Sequence, residues 1–108
     1  MSDTPSWKSS HQGVAGTWGV EESSAEFTIS FVDGQLQIEG HSTNSGEQFV
    51  ITDVSWDGTR LSGTFLMPST NHSTESHLDW TEADRLRGEY CINGQAAGPE
   101  VWYRKGSS

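Results

Sequence analysis

The sequence lacks most of the features that assign a protein to a compartment or a membrane. It contains one cysteine, Cys91, so no disulfide can form within the chain, whereas small secreted domains usually carry several. No apolar run approaches the roughly 18 residues of a membrane-spanning helix. The first residues, 1–13, contain no apolar signal segment. These absences predict a cytoplasmic location and no membrane insertion.

Basic residues are also scarce. Six Lys and Arg stand against fifteen Asp and Glu, which gives a formal net charge of −9. A field of this sign repels phosphate backbones, and no basic patch or stripe interrupts it. We therefore expect no nucleic-acid partner.

Motifs that carry a known chemistry are missing as well. The sequence contains no Gly-rich phosphate loop, no Ser nucleophile elbow and no Cys-x-x-Cys pair. No cofactor and no metal are expected. One set leaves metal binding open, because Glu75, His77 and Asp79 occupy alternate positions and share one face if the segment is a strand.

Apolar residues make up only 31% of the chain, but large aromatic side chains compensate for their small number. Five Trp, four Phe and two Tyr are present, and each buries more area than an aliphatic residue. In the segment 26–40, apolar residues alternate with polar ones from Phe27 to Phe31 and again after Asp33-Gly34. This dipeptide is typical of a type I′ hairpin turn, so the segment is predicted to be a hairpin with one apolar face.

The hairpin pattern recurs along the chain. Leu36, Leu61 and Leu86 are 25 residues apart, a spacing that accommodates two strands and two turns. Four such units predict eight strands, at 16–22, 26–32, 35–41, 47–56, 60–67, 72–80, 85–92 and 99–105.

Short connections favour meander order, and closure removes the exposed sheet edges. We predict an all-β, eight-stranded antiparallel up-and-down barrel over residues 15–105. A flexible tail is expected over 1–14 and a frayed end over 106–108.

Two short motifs resemble the calycins, the superfamily of lipocalins, fatty-acid-binding proteins and avidins. Gly16-Thr17-Trp18 opens the first predicted strand, and Arg104 lies in the last. The resemblance implies that Arg104 packs across Trp18 at a closed end, and that the other end opens on a cavity for an apolar small molecule. The Asn and Ser that avidins use on biotin do not follow Trp18, so biotin is not implied.

Strand alternation predicts which side chains face the barrel interior. Eight-stranded barrels are either filled by their own side chains or hold one small ligand, and the sequence leaves both open. If a ligand is held, the residues expected to bind it are Phe27, Phe31, Phe65, Met67, His72, Trp80 and Tyr90.

Two residues are candidates for acid–base catalysis. His72 shares the strand parity of Leu78 and is expected near the barrel mouth. Asp53 shares the parity of Ile51, although Trp56 claims the opposite face, so a β-bulge is the alternative.

Three functions stay open at this point. The first is binding of an apolar or aromatic small molecule inside the barrel. The second is a small lipocalin-like enzyme, such as a cyclase, isomerase or hydratase, acting on a hydrophobic substrate. The third is a homodimeric interaction module with a filled core, suggested by Trp56 and Trp102 on predicted outward faces.

Overall fold

The structure is a computed structural model that describes residues 11–21 and 23–105. A short 3-10 helix, His11–Val14, precedes eight strands. The strands are β1 Gly16–Val20, β2 Ala25–Val32, β3 Gln35–Ser42, β4 Val50–Trp56, β5 Arg60–Met67, β6 His72–Glu82, β7 Arg85–Ile92 and β8 Gln95–Arg104. The frayed end expected over 106–108 lies outside the described residues, as does the predicted tail up to Ser10.

All neighbouring strands pair antiparallel, in the order β3-β2-β1-β8-β7-β6-β5-β4. Pairing of β1 with β8 joins the first and last strands, so β3 and β4 are the two edge strands of the sheet, and they meet where the barrel closes. There the Phe49 N–H donates to the Gly40 carbonyl at 2.9 Å, and the Ser42 N–H donates to the Glu47 carbonyl at 2.8 Å. The chain is therefore a nearly closed eight-stranded up-and-down barrel, which confirms the predicted fold class.

Two Asx-Gly turns have the backbone conformation that a tight hairpin requires. Asp33 and Gly34 have φ values of 53° and 80°, as predicted for a type I′ turn. Asn93 and Gly94 have φ values of 50° and 86° and join β7 to β8 in the same way. The sequence analysis did not include this second turn, so it predicted the start of the last strand at residue 99, four residues later than its observed start at Gln95.

Two Trp side chains face inward, opposite to the prediction, and each lies beyond a β-bulge in its strand. In β4 the pairing shifts between Thr52 and Ser55, so Val54 and Trp56 turn inward and pack against the core. In β8 the partners of Tyr90 and Cys91 are Gly98 and Ala96, so Ala97 is an extra residue. Beyond it, Trp102 shares the strand face of Arg104 and has 0% exposure. The prediction that Trp56 and Trp102 lie on outward faces is therefore wrong.

One end of the barrel is closed by packed side chains. Trp18, Trp80, Leu61, Leu78 and Leu86 are almost fully buried there. Each buried indole removes a large apolar area from water, worth roughly 4–6 kcal/mol as an upper estimate. The interior at the closed end is filled by side chains, which was one of the two alternatives that the sequence left undecided.

The segment before β1, which includes the 3-10 helix His11–Val14, packs across this closed end. Val14 has 0% exposure, and its carbonyl accepts a 2.9 Å hydrogen bond from Nε1 of Trp18. Arg104 stacks on the Trp18 ring, with its guanidinium carbon 4.5 Å from the ring centroid. The contact implied by the calycin resemblance is thus present, and ordered structure extends into the last residues of the predicted tail.

Candidate ligand pocket

The other end of the barrel opens on a pocket of about 380 Å³, here called the mouth pocket. It lies where β1 ends and β6 begins, so inward-facing residues at those strand ends form its wall. The pocket is lined by Val20, Glu21, Ser23, Ala25, Phe27, Phe49, Phe65, Met67, His72, Thr74, Tyr90, Pro99 and Glu100.

Three aromatic residues of the mouth pocket pack with Trp102 in a cluster of four rings that continues into the core. The rings of Phe27 and Trp102 stack in parallel, with centroids 4.3 Å apart and an interplanar angle of 1°. Phe65 lies 4.7 Å and Phe49 lies 5.6 Å from Phe27, centroid to centroid. Phe27, Phe49 and Phe65 line the pocket and form its aromatic floor, and Trp102 packs against Phe27 without lining the pocket. Offset and tilted rings at such distances attract one another beyond the area they bury.

Glu100 projects into this pocket from β8. It sits two residues before Trp102 on the same face of the strand, and its Oε1 accepts a 2.6 Å hydrogen bond from the Oγ of Ser76. Ser76 is 1% exposed, so the donor is held rigidly in the wall. Burial raises the pKa of the Glu100 carboxyl, while Ser76 and, to a smaller extent, Trp102 act to lower it. The wall therefore contains one desolvated carboxyl positioned by a buried hydroxyl.

Five of the seven residues expected to bind a ligand line the mouth pocket. They are Phe27, Phe65, Met67, His72 and Tyr90. The other two lie elsewhere. Trp80 is buried at the closed end, 5.9 Å from the Trp56 ring, and Phe31 is half-buried against the core.

The two candidate catalytic residues are not brought together. His72 is exposed at the rim of the pocket. Asp53 occupies the β4 bulge with φ 55°, is exposed, and is not among the residues that line the pocket. The bulge alternative therefore describes Asp53 correctly.

Glu100 was missed by the sequence reasoning although a signal for it exists. A strand alternates faces with a period of two, so Glu100, Trp102 and Arg104 must share one face. The calycin resemblance already placed Arg104 inside the barrel. Applying that parity consistently would have turned both Trp102 and Glu100 inward.

The outward-facing residues of β6 considered for metal binding, Glu75, His77 and Asp79, interact in separate pairs and do not converge on one position. His77 lies 2.9 Å from a Glu75 oxygen through Nε2 and 2.9 Å from Ser62 Oγ through Nδ1. Asp79 pairs with Arg60 at 3.2 Å. Within residues 11–21 and 23–105, no group of three or more His, Cys, Asp or Glu side chains is arranged to hold a metal ion.

Comparisons with models of known protein families, with curated proteins and with solved structures find no match for this chain. Over the described part of the chain, no helix has the length and apolar character needed to cross a membrane. The strand order is compatible with a calycin-like barrel.

Proposed function

We propose that this protein binds a small apolar or aromatic molecule in the mouth pocket. The observation that carries the proposal is a hollow of about 380 Å³ at one end of a barrel whose other end is filled. Small-molecule sites in proteins commonly measure roughly 300–1,000 Å³. Eight-stranded barrels whose interior is not filled by side chains can hold one small ligand.

The lining supports a flat, apolar ligand. Phe27, Phe49 and Phe65 offer ring surfaces on the floor, and Met67 adds an adaptable apolar side chain. Polar groups interrupt this surface at six of the thirteen lining residues, which are Glu21, Ser23, His72, Thr74, Tyr90 and Glu100. Binding sites typically combine a mainly apolar wall with a small number of polar groups that fix orientation.

Ligand-observed NMR with a library of lipids, isoprenoids and aromatic metabolites tests the proposal. Hits are then titrated into ¹⁵N-labelled protein to locate the site. We expect the largest amide shifts at the mouth, around Phe65, Tyr90 and Glu100. Absence of any binder, or shifts confined to the outer wall, would overturn the proposal.

A matched pair of variants adds a structural control. Thr74→Phe places a ring in the mouth pocket and is expected to weaken binding about tenfold or more. Thr64→Phe makes the same change on β5, where Thr64 is outside the pocket lining and pairs with Thr52 and Glu75. Equal affinity in the two variants would contradict binding at the mouth.

An acid–base enzyme is the second candidate function, and Glu100 is the observation that favours it. A carboxyl whose pKa is raised by burial is suited to hold or deliver a proton near neutral pH. Its place in the wall of an apolar pocket fits a hydrophobic substrate such as that of a cyclase, isomerase or hydratase.

Incubating each NMR hit with the protein and analysing the products by mass spectrometry separates this candidate from simple binding. An enzyme would convert a bound compound, and Glu100→Gln would abolish conversion while retaining binding. Recovery of every bound compound unchanged would exclude catalysis on the compounds tested and leave the binding function.

A further inference from the structure

No Lys or Arg among the described residues lines the mouth pocket, and the one imidazole in its lining, His72, lies at the exposed rim. Four of the described Lys and Arg side chains are engaged in ion pairs, and the fifth, Arg104, lies over Trp18 at the closed end. The pairs are Arg60 with Asp79 at 3.2 Å, Arg85 with Asp84 at 3.3 Å, Arg87 with Glu82 at 2.9 Å and Lys105 with Glu26 at 2.7 Å. Of the residues that line the mouth pocket, Glu21 and Glu100 are both carboxylates. The pocket therefore disfavours a ligand that bears an anionic group.

Glu100 stands beside aromatic rings, and this combination favours a cation. Its neighbour on the same strand face, Trp102, is stacked on Phe27 and lies 5.8 Å from Phe65, centroid to centroid. A positive group over ring faces is attracted by their quadrupoles, and a carboxylate adds a charge-assisted hydrogen bond. The Ser76 hydroxyl donates a 2.6 Å hydrogen bond to Oε1 of Glu100 and so orients the carboxyl.

We propose that the ligand of the mouth pocket is an amine, whose protonated nitrogen binds the Glu100 carboxylate while its apolar or aromatic body lies on the aromatic floor. This inference rests on the binding function proposed above and specifies the ligand class. Ser76 acts as a positioning residue that holds the carboxylate toward the ammonium group.

The energetics of the pocket wall support the pairing. Burial disfavours the charged form of the Glu100 carboxyl, so its pKa is raised. An ammonium group in contact stabilises that charged form and replaces the water that burial removes. A neutral hydroxyl on the same ligand provides only a weaker hydrogen bond, and a carboxylate would add repulsion.

Isothermal titration calorimetry with three compounds of nearly equal size tests the amine preference. The compounds are 2-(1-naphthyl)ethylamine, 2-(1-naphthyl)ethanol and the carboxylate 1-naphthaleneacetate, used at neutral pH and low salt. We expect the amine to bind at least about tenfold more tightly than the alcohol, and the carboxylate to bind most weakly. An alcohol or carboxylate that binds as tightly as the amine overturns the inference but supports the binding function. Failure of all three, together with an empty NMR screen, overturns both.

Two glutamine variants test whether the preference for the amine depends on Glu100. Glu100→Gln keeps an oxygen that can accept from Ser76, and we expect the affinities for amine and alcohol to fall within about twofold of each other. Glu89→Gln removes the same charge from the exposed side of β7 and is expected to keep the preference. A preference that survives in a folded Glu100→Gln protein, or disappears in Glu89→Gln, overturns the assignment. The wild-type comparison tests the amine preference even if Glu100→Gln is poorly folded.

Discussion

Arg104 and Trp18 form a stacked pair at the closed end of the barrel, with the guanidinium carbon 4.5 Å from the ring centroid. The same guanidinium donates to three backbone carbonyls, at 2.7 Å to Ala15, 2.9 Å to Gly13 and 3.0 Å to Ala83. One side chain therefore joins the segment before β1 to the turn between β6 and β7. Trp18 binds the same segment through Val14, so the pair is a structural closure rather than part of the mouth pocket.

Replacing Arg104 is expected to destabilise the barrel. Arg104→Met removes the charged donor from three carbonyls and is predicted to cost roughly 2–4 kcal/mol of unfolding free energy. Arg104→Lys should fall between Met and wild type, because an ammonium group cannot reproduce the planar, multiply donating contact. Urea denaturation measures the effect. As a control, Arg87→Met breaks an exposed pair with Glu82 and should cost no more than about 1 kcal/mol.

Two inward glycines should respond differently to alanine. A Cβ on Gly88 would collide with the backbone carbonyl of His77 on β6, which cannot move without breaking the ladder. A Cβ on Gly63 would lie 3.3 Å from the edge of the Phe65 ring, which can adjust. We expect Gly88→Ala to cost roughly 3 kcal/mol or more and Gly63→Ala to stay within about 1 kcal/mol of wild type. Equal melting temperatures by circular dichroism would contradict this.

The β4 bulge is expected to depend on the backbone of Asp53 and not on its carboxyl. Its φ of 55° is compatible with Gly and unfavourable for a β-branched residue. Asp53→Gly should remain within about 1 kcal/mol of wild type, whereas Asp53→Val should lose roughly 1–2 kcal/mol. Thr52→Val, next to it in regular strand, serves as the control. Ligand affinity should be unchanged in Asp53→Asn, and a marked loss would return Asp53 to the list of functional residues.

Glu100 should make stability depend on pH in a specific direction. Its pKa in the folded protein is raised above the ordinary value of 4.5, so the folded state holds the proton more tightly than the unfolded chain. Its contribution is therefore most favourable below pH 4.5 and falls as pH rises toward the folded-state pKa. Because Gln does not ionise, the stability of Glu100→Gln relative to wild type should increase over that range. Thermal melts from pH 4 to 8 measure it, and a constant difference between the two proteins would refute the proposed burial of the charge.

Much of the architecture could be predicted because local patterns carry it. The alternation from Phe27 to Phe31 marks a strand with one buried face, and Asp33-Gly34 tolerates the positive φ of a tight turn. Repetition of these patterns defines eight strands in meander order. The Asn93-Gly94 turn carried an equally good signal that was overlooked.

The candidate site was predictable only in part. Phe65, Met67 and Tyr90 lie on regular strands, so period-two alternation predicts that they face the interior, and they line the mouth pocket. Trp56 follows the β4 bulge, and one extra residue reverses the facing of the residues that come after it. Trp102 is different, because its parity with Arg104 was sufficient to place it inward. Nothing in local composition indicates where a bulge falls, because it is selected by pairing with a distant strand.

The sequence by itself determined the eight strands and their order, because these depend on alternation and turn residues, and its resemblance to the calycins implied the contact between Arg104 and Trp18. Only the tertiary structure decided how the interior is divided between a filled end and a hollow one. That division depends on how Phe27, Trp102 and Phe65 meet across three non-consecutive strands. The same packing brings Ser76 within 2.6 Å of Glu100, from 24 residues away, and so produces the one positioned carboxyl of the mouth pocket wall.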